Sequence, residues 1–198
     1  FKIAGKQGLP PLTLLDCGGG FPGSDNFEYT GEISFQAIAL ELSAAVDFHF
    51  PDKSVKIIAE PGRYFVSSCT ALLTQIHSKK KVTKDHVRAM YYLNDGVYGS
   101  FNCIMFDHYV VCPKVLTRNG NIFDERSVEE SNANQFPSNL WGPTCDSMDC
   151  VMKNVELPEL EIGDWLCFPN MGAYTSSAAS NFNGLYTTLT LFIDTYGR

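Results

Sequence analysis

Residues 12–23 read LTLLDCGGGFPG and residues 55–64 read VKIIAEPGRY, and these two stretches decide the fold of the first part of the chain. Each begins with a short apolar run typical of a buried strand and ends at glycine or proline. Between them, apolar residues at helical spacing predict a helix that begins after an N-cap at Ser34 and stops at Pro51. A strand, a helix and a strand in close succession predict a parallel βαβ unit.

The pattern changes after residue 75, where we place a domain boundary. Strand-like runs predominate, and we expect strands at residues 72–82, 89–93, 97–105, 109–116, 165–169 and 187–193. Asp95-Gly96, Asn119-Gly120 and Gly163-Asp164 supply turn signals between them. The pattern predicts an antiparallel β domain, with an exposed loop at residues 124–134.

The first 75 residues hold too few elements to form a complete α/β layer, because a parallel pair of strands needs cover on both faces. We therefore expect the missing strands and helices to lie upstream of Phe1, in a longer protein.

Composition excludes several classes of function. The chain has 198 residues and a net charge of -7, and its one basic cluster, Lys79-Lys80-Lys81, fits a solvated strand end better than a nucleic-acid site. No run approaches the roughly 18 apolar residues that span a bilayer. The seven cysteines are scattered without a Cys-x-x-Cys pair, so we expect no disulfide framework, no metal site and a reducing, cytoplasmic location.

Two glycine-containing loops follow the predicted parallel strands. Gly18-Gly19-Gly20 could let backbone N–H groups approach a phosphate, or could be a flexible turn. In residues 60–63, EPGR, a carboxylate could pair with a protonated ring nitrogen and an arginine could bind phosphate; the alternative is a surface turn. Two such loops on neighbouring strands favour a phosphorylated cofactor.

Other candidate groups lie in the β domain. In residues 141–146, WGPTCD, a Gly-Pro turn presents the Cys145 thiol beside Asp146, and such a thiol can act as proton donor or nucleophile unless it is simply buried. Tyr98, Asp107 and Tyr174 follow turns or strand ends and could be functional or ordinary β-domain residues.

Taken together, these segments resemble the ornithine decarboxylase family. The matching stretches are residues 14–23 (LLDCGGGFPG), 57–64 (IIAEPGRY), 91–102 (YYLNDGVYGSFN), 141–146 (WGPTCD), 163–165 (GDW) and 170–175 (NMGAYT). The resemblance implies a pyridoxal phosphate enzyme with an alanine-racemase-like (β/α)8 barrel followed by a C-terminal antiparallel β domain. Residues 1–75 would be the last part of the barrel, and residues 76–198 would form the β domain as a Greek-key-like barrel.

The resemblance also implies roles for individual residues. Cys145 would protonate the substrate carbon. Asp107 and Asp146 would bind the distal ammonium of ornithine, beside Tyr98 and Phe106. The family usually has tyrosine where this chain has Phe106, which removes a hydroxyl group from that contact. The residues that would contact the cofactor are Gly18, Gly19, Gly20, Glu60, Pro61, Gly62, Arg63 and Tyr174.

The implied activity is decarboxylation of L-ornithine to putrescine, in polyamine biosynthesis, by a homodimer with shared active sites. The family's cofactor-binding lysine lies in an N-terminal segment outside this sequence, so we expect the chain alone to be inactive. One alternative is a non-catalytic relative of the antizyme inhibitor type, which would bind antizyme. Another is a lysine, arginine or diaminopimelate decarboxylase, although Cys145-Asp146-Ser147 fits ornithine better than the Cys-Glu-Ser usual in diaminopimelate enzymes.

Overall fold

The computed structural model describes residues 1–23, 33–82, 86–123, 134–186 and 189–193. The chain divides into two compact units, Phe1–Ser68 and Cys69–Arg198. This division falls a few residues before the boundary expected near residue 75, a position that lies inside a continuous strand, Leu72–Lys81.

The first unit contains the predicted parallel strand pair. Its strands β1 (Leu14–Asp16) and β2 (Lys56–Ile58) pair in parallel, with Leu15 opposite Ile57. The unit's helices are α1 (Lys2–Lys6), α2 (Phe35–His49) and α3 (Gly62–Val66). Ser34 caps α2 as expected, because its Oγ accepts a hydrogen bond of 3.1 Å from the backbone N–H of Ala37. The βαβ prediction is confirmed.

The elements of the first unit bury little of their apolar surface. Helix α2 has no buried residue, and Leu40 and Phe48 on it are 73% and 79% exposed. The main packing is aromatic: the ring of Phe35 lies 4.3 Å from that of Tyr64. Such exposure is what a parallel strand pair shows without the neighbouring strands and helices that normally cover it.

The second unit is built on a six-stranded sheet in the order β5-β10-β3-β4-β8-β9. Its strands are β3 (Leu72–Lys81), β4 (Ala89–Leu93), β5 (Lys114–Val115), β8 (Gln135–Trp141), β9 (Cys150–Pro158) and β10 (Trp165–Phe168). A separate hairpin joins β6 (Thr117–Arg118) to β7 (Asn121–Ile122). Asn119 and Gly120 form its turn with φ angles of 53° and 77°, the positive values that a two-residue hairpin loop favours.

The six-stranded sheet is mixed. The pairs β10–β3, β10–β5, β3–β4 and β8–β9 are antiparallel, as expected for this domain. The pair β4–β8 is parallel, with Tyr91 opposite Leu140. A parallel pairing is possible here because the connection from β4 to β8 is long enough to cross over.

The core of the second unit lies against this sheet. Strand β4 alternates buried and half-buried residues, and Tyr91 and Leu93 are fully buried. The rings of Phe101 and Phe168 pack edge to face at 4.8 Å. The hydroxyl of Tyr91 accepts a hydrogen bond of 3.0 Å from the backbone N–H of Leu160, which satisfies a polar group inside the core.

Two strand predictions differ from the structure. Residues 97–105 form turns followed by a short helix, α4 (Cys103–Phe106), because Asp95 Oδ1 accepts hydrogen bonds from the N–H groups of Gly96 and Ser100 and so closes a turn. Of residues 109–116, only Lys114 and Val115 lie in a strand. Short 3₁₀ helices occur at Ser67–Cys69, Ser176–Ala178 and Phe182–Gly184.

Two further predictions fall partly outside the described residues. The strand expected at residues 187–193 is absent from 189–193, and 187–188 are not described. The loop expected at 124–134 lies outside the described residues except for Asn134. In the part of the chain that the structure describes, no helix is long and apolar enough to cross a membrane.

Candidate active site

The glycine-rich loop and the loop at residues 60–63 lie side by side. The backbone N–H of Cys17 donates to the Ile58 carbonyl at 2.9 Å, and the N–H of Glu60 donates to the Gly18 carbonyl at 2.8 Å. These hydrogen bonds extend the parallel pairing of β1 and β2 into the loops that follow. Both loops therefore begin at the carboxyl ends of the strands, the edge where α/β proteins bind ligands.

The backbone of the glycine-rich loop requires glycine. Gly18 and Gly20 have φ angles of 70° and 84°, in the left-handed region. A Cβ atom on Gly19 would lie 2.9 Å from the Glu60 carbonyl oxygen, too close for a side chain. The Gly18 N–H donates to Asp16 Oδ1 at 2.8 Å, so the exposed Gly19 and Gly20 are the part of the loop that could hold an anion such as a phosphate.

Glu60 and Arg63 follow β2 at the same edge. Glu60 is exposed, Pro61 and Gly62 turn the chain into α3, and Arg63 is half-buried in the first turn of that helix. The glycine-rich loop continues against α3, since a Cβ atom on Gly23 would lie 2.6 Å from the Ser67 Cβ. The first unit thus places a carboxylate, a guanidinium and a glycine loop within one small region.

In the second unit, Asp149 connects two segments that carry candidate functional residues. Its carboxylate is 1% exposed. Oδ1 accepts from the Val97 N–H at 2.9 Å, and Oδ2 accepts from the N–H and the Oγ1 of Thr144 at 2.9 and 2.7 Å. Gly96 and Gly142 lie so close that a Cβ on either would overlap the carboxylate. Asp149 therefore fixes the turn before Tyr98 against the loop that carries Cys145 and Asp146.

Tyr98 and Asp146 are in direct contact. The Tyr98 hydroxyl donates to Asp146 Oδ2 at 2.5 Å, and the N–H of Met148 donates to Oδ1 at 2.9 Å. The Met148 bond and then the Tyr98 bond lower the pKa of Asp146, while the bond to Asp146 raises the pKa of Tyr98 to about 12. Asp146 thus stays ionised and Tyr98 stays protonated at neutral pH. Cys145 is exposed beside this pair.

The remaining sequence-predicted residues lie on two other segments of the second unit. Phe106, 74% exposed, ends α4, and Asp107 follows it, also exposed. Tyr174 is half-exposed in the loop at residues 170–175 and has a φ angle of 53°. The structure brings Tyr98, Cys145 and Asp146 together in one unit, and Gly18, Gly19, Gly20, Glu60, Pro61, Gly62 and Arg63 together in the other.

Asp149 is a site residue that its sequence context does not predict. It looks like a surface aspartate in a polar stretch, and its hydrogen-bond partner Val97 lies 52 residues away. Gly96 and Gly142 leave the space that the Asp149 carboxylate fills, but neither glycine by itself indicates a buried aspartate nearby. Among the described residues, no group of three or more His, Cys, Asp and Glu side chains could hold a metal ion.

Comparisons with known proteins give matches over most of the chain. A family model described as "Pyridoxal-dependent decarboxylase, pyridoxal binding domain" matches residues 1–67, and one described as "Pyridoxal-dependent decarboxylase, C-terminal sheet domain" matches residues 51–172. Among curated relatives, ornithine decarboxylase of Mus musculus is 45% identical over 196 residues, and antizyme inhibitor 2 of Xenopus laevis is 44% identical over 194 residues. Each alignment covers 93% of this chain and 39% of the relative.

Solved structures give the same result. The arginine decarboxylase of Paramecium bursaria Chlorella virus, bound to agmatine, matches with a TM-score of 0.71 at 34% identity, over 95% of this chain and 47% of that one. The lysine/ornithine decarboxylase of Vibrio vulnificus, complexed with cadaverine, matches with a TM-score of 0.71 at 30% identity, over 96% of this chain and 47% of that one. The chain thus spans less than half the length of these relatives. It belongs to the pyridoxal-dependent decarboxylase family, whose cofactor is pyridoxal phosphate.

Proposed function

We propose that this chain is the C-terminal part of a longer decarboxylase that converts L-ornithine to putrescine and carbon dioxide with pyridoxal phosphate. The observation that carries the proposal is the hydrogen bond from the Glu60 N–H to the Gly18 carbonyl, which sets the glycine loop beside a carboxylate and an arginine. The identity to ornithine decarboxylases supports it further.

The residues of the first unit would hold the cofactor. The N–H groups of Gly19 and Gly20 would bind its phosphate, together with the guanidinium of Arg63 and the hydroxyl of Tyr174. Gly18 would shape the loop, because its own N–H donates to Asp16 Oδ1 at 2.8 Å. The carboxylate of Glu60 would keep the ring nitrogen protonated, because a negative charge favours the protonated form. When bound, the cofactor supplies a conjugated pyridinium ring that takes up the electron pair left on the substrate carbon as carbon dioxide departs.

In a homodimer with shared sites, the loop of Cys145 and Asp146 would reach into the partner subunit's site and recognise the rest of the substrate there. An ionised Asp146, held by Tyr98 and by the Met148 N–H, is suited to bind the distal ammonium of a diamino acid. Asp107 would supply a second carboxylate. Tyr98 would act on the substrate through Asp146, since its hydroxyl proton is already donated to that carboxylate. Cys145, exposed next to Asp146, would deliver a proton from its thiol to the substrate carbon after carbon dioxide has left.

Substrate preference is the experiment that tests this proposal. We expect the protein of full family length that contains this chain to release carbon dioxide from ornithine with a higher kcat/KM than from lysine or arginine. Purified protein, saturating pyridoxal phosphate and quantification of both carbon dioxide and the diamine product provide the measurement. A preference for arginine would overturn the substrate assignment, and no release from any of the three would overturn the enzymatic one.

A second function, regulation without catalysis, is favoured by one observation: antizyme inhibitor 2 is about as similar to this chain as the ornithine decarboxylases are. Glu60, Arg63, Asp107, Cys145 and Asp146 are all present, which supports an enzyme. A protein of this second kind would bind antizyme without releasing carbon dioxide from ornithine. Measuring both properties in one preparation separates the two functions.

The chain by itself, from Phe1 to Arg198, is expected to be inactive, and the complete enzyme is expected to be a homodimer with shared sites. Incubation with pyridoxal phosphate followed by borohydride should leave no cofactor attached to a lysine of this chain. Mass spectrometry of the tryptic peptides checks this, and a labelled lysine within residues 1–198 would contradict it.

A further inference from the structure

Asn102 lies at the meeting point of three segments of the second unit. Its side-chain Nδ2 donates hydrogen bonds to the carbonyls of Gly99, at 2.6 Å, and Thr175, at 2.5 Å. The backbone carbonyl of Asn102, which is the N-cap residue of α4, accepts from the N–H groups of Met105 and Phe106, both at 3.0 Å. The residue therefore connects the turn after Tyr98, the helix that precedes Asp107 and the loop that carries Tyr174.

The orientation of the Asn102 amide is fixed by its surroundings. Both hydrogens of Nδ2 are used, and both acceptors are carbonyl oxygens. Rotating the amide by 180° would direct Oδ1 at those same oxygens and replace two attractive contacts with two repulsive ones. The side chain is also 1% exposed, so it cannot touch a substrate itself.

The loop held by Asn102 has a strained backbone. Asn170 and Tyr174 have φ angles of 58° and 53°, in the left-handed region that a side chain such as that of Tyr174 rarely adopts. The Thr175 carbonyl, which follows Tyr174 directly, accepts the Asn102 bond, and Thr175 Oγ1 donates to the Met171 carbonyl at 2.8 Å. Such a conformation persists only when the surroundings hold it in place.

We propose that Asn102 is a positioning residue that fixes Tyr174 relative to Asp107. Resting on the proposed function, this means that Asn102 sets the separation between the tyrosine that contacts the cofactor phosphate and the carboxylate that contacts the substrate ammonium. A decarboxylase for amino acids of defined length needs that separation to be constant.

The test uses Asn102→Leu in the protein of full family length, with Asn139→Leu as matched control. Asn139 is also a buried asparagine of this unit, 9% exposed, but its Oδ1 accepts from the Asn154 N–H, in β9. Asn102→Leu is expected to raise the pyridoxal phosphate dissociation constant about tenfold and the KM for ornithine several-fold. Asn139→Leu should lower the melting temperature and leave both constants unchanged.

A double-mutant cycle with Tyr174→Phe shows whether Asn102 acts through Tyr174. If it does, Asn102→Leu weakens cofactor binding much less when the tyrosine hydroxyl is already absent. Hydrogen exchange of the peptide at residues 171–179 should also accelerate in Asn102→Leu and not in the control. Equal dissociation constants for wild type and Asn102→Leu, or fully additive effects in the cycle, would overturn the proposal.

Two further outcomes are distinguished. If Asn102→Leu does not fold, Asn102→Ala takes its place, since alanine is smaller and removes both donors; wild-type cofactor affinity and wild-type exchange in that variant would also refute the positioning role. If the wild-type protein itself binds no pyridoxal phosphate, the proposed function fails, whereas the hydrogen-exchange comparison still decides whether Asn102 holds the loop.

Discussion

Replacing Gly142 with alanine should damage the second unit severely, although the change adds only one methyl group. A Cβ atom at this position would overlap the buried carboxylate of Asp149, so the carboxylate has to move. The carboxylate accepts one hydrogen bond from Val97 and two from Thr144. Moving the carboxylate breaks some of these three hydrogen bonds in the protein interior.

The magnitude follows from these contacts. A hydrogen bond to a charged group contributes about 1.5–3 kcal/mol. A buried acceptor that is left without its hydrogen-bond partner costs about 1–3 kcal/mol. Losing one or two of the three bonds therefore predicts a destabilisation of about 3–5 kcal/mol, which corresponds to a fall in melting temperature of roughly 10–15 °C for a unit of this size.

Urea and thermal unfolding of the chain measure the effect, followed by the fluorescence of the two tryptophans of this unit, Trp141 next to the substitution and Trp165. Gly120→Ala is the matched control in the same unit. Gly120 has a φ angle of 77° and no atom within 4 Å of an added Cβ, so its replacement carries only the conformational cost of about 1 kcal/mol. If Gly142→Ala is no more destabilising than Gly120→Ala, the Asp149 carboxylate does not hold the two segments together.

Three further predictions concern the proposed active site in the protein of full family length. Tyr98→Phe removes one of the two bonds that lower the pKa of Asp146, so that pKa should rise while the Met148 bond keeps it below its ordinary value. Protonation then begins at a higher pH, and the KM for ornithine should increase several-fold on the acid side of the pH profile; an unshifted profile would contradict this. Cys145→Ala should lower turnover by about 10²-fold or more, and unchanged turnover with unchanged amine product would remove the thiol from proton delivery. Glu60→Gln should retain pyridoxal phosphate binding, measured by equilibrium dialysis, while kcat falls about 10²-fold or more; an unaltered kcat would argue against a role at the ring nitrogen.

Local sequence pattern was sufficient for the elements whose hydrogen bonds are local or whose burial is regular. Helix α2 ends within one residue of its predicted limits, because Ser34 caps it and Pro51 follows it. Strand β4 matches its predicted span, and β3 and β10 match theirs to within one residue. In each of these strands the alternation or the apolar run agrees with what the tertiary structure buries.

Pattern failed where long-range pairing overrode it. Strand β8 contains Pro137 and polar residues, and β9 contains Asn154 with a φ angle of 54°, so neither resembles an uninterrupted strand. The register shifts along their pairing, between Ser138 and Leu140, have the same origin. Residues 97–105 were predicted as a strand because the run is apolar, but the carboxylate of Asp95 closes it into turns.

The candidate site residues fall into the same two groups, those set by local sequence and those set by distant partners. The glycine loop, Glu60 and Arg63 follow short strands that pair as predicted, and a sequence motif can specify them because each loop is set by its own few residues. Asp149 and Asn102 have roles that depend on partners 52 and 73 residues distant in the chain. Nothing next to them in sequence signals those partners.

Their position explains why the second unit can present reactive groups on loops and still hold them firmly. The loop of Cys145 and Asp146 is joined to the turn of Tyr98 by Asp149, and that turn is joined to the loop of Tyr174 by Asn102. Each link is a buried polar side chain that donates or accepts more than one hydrogen bond, which fixes direction as well as distance. A hydrophobic contact in either place would hold the segments together but would leave them free to slide. In the proposed decarboxylase, binding a diamino acid at both ends would require precise placement of separate loops, and the buried polar links would contribute to it as much as the exposed residues that they position.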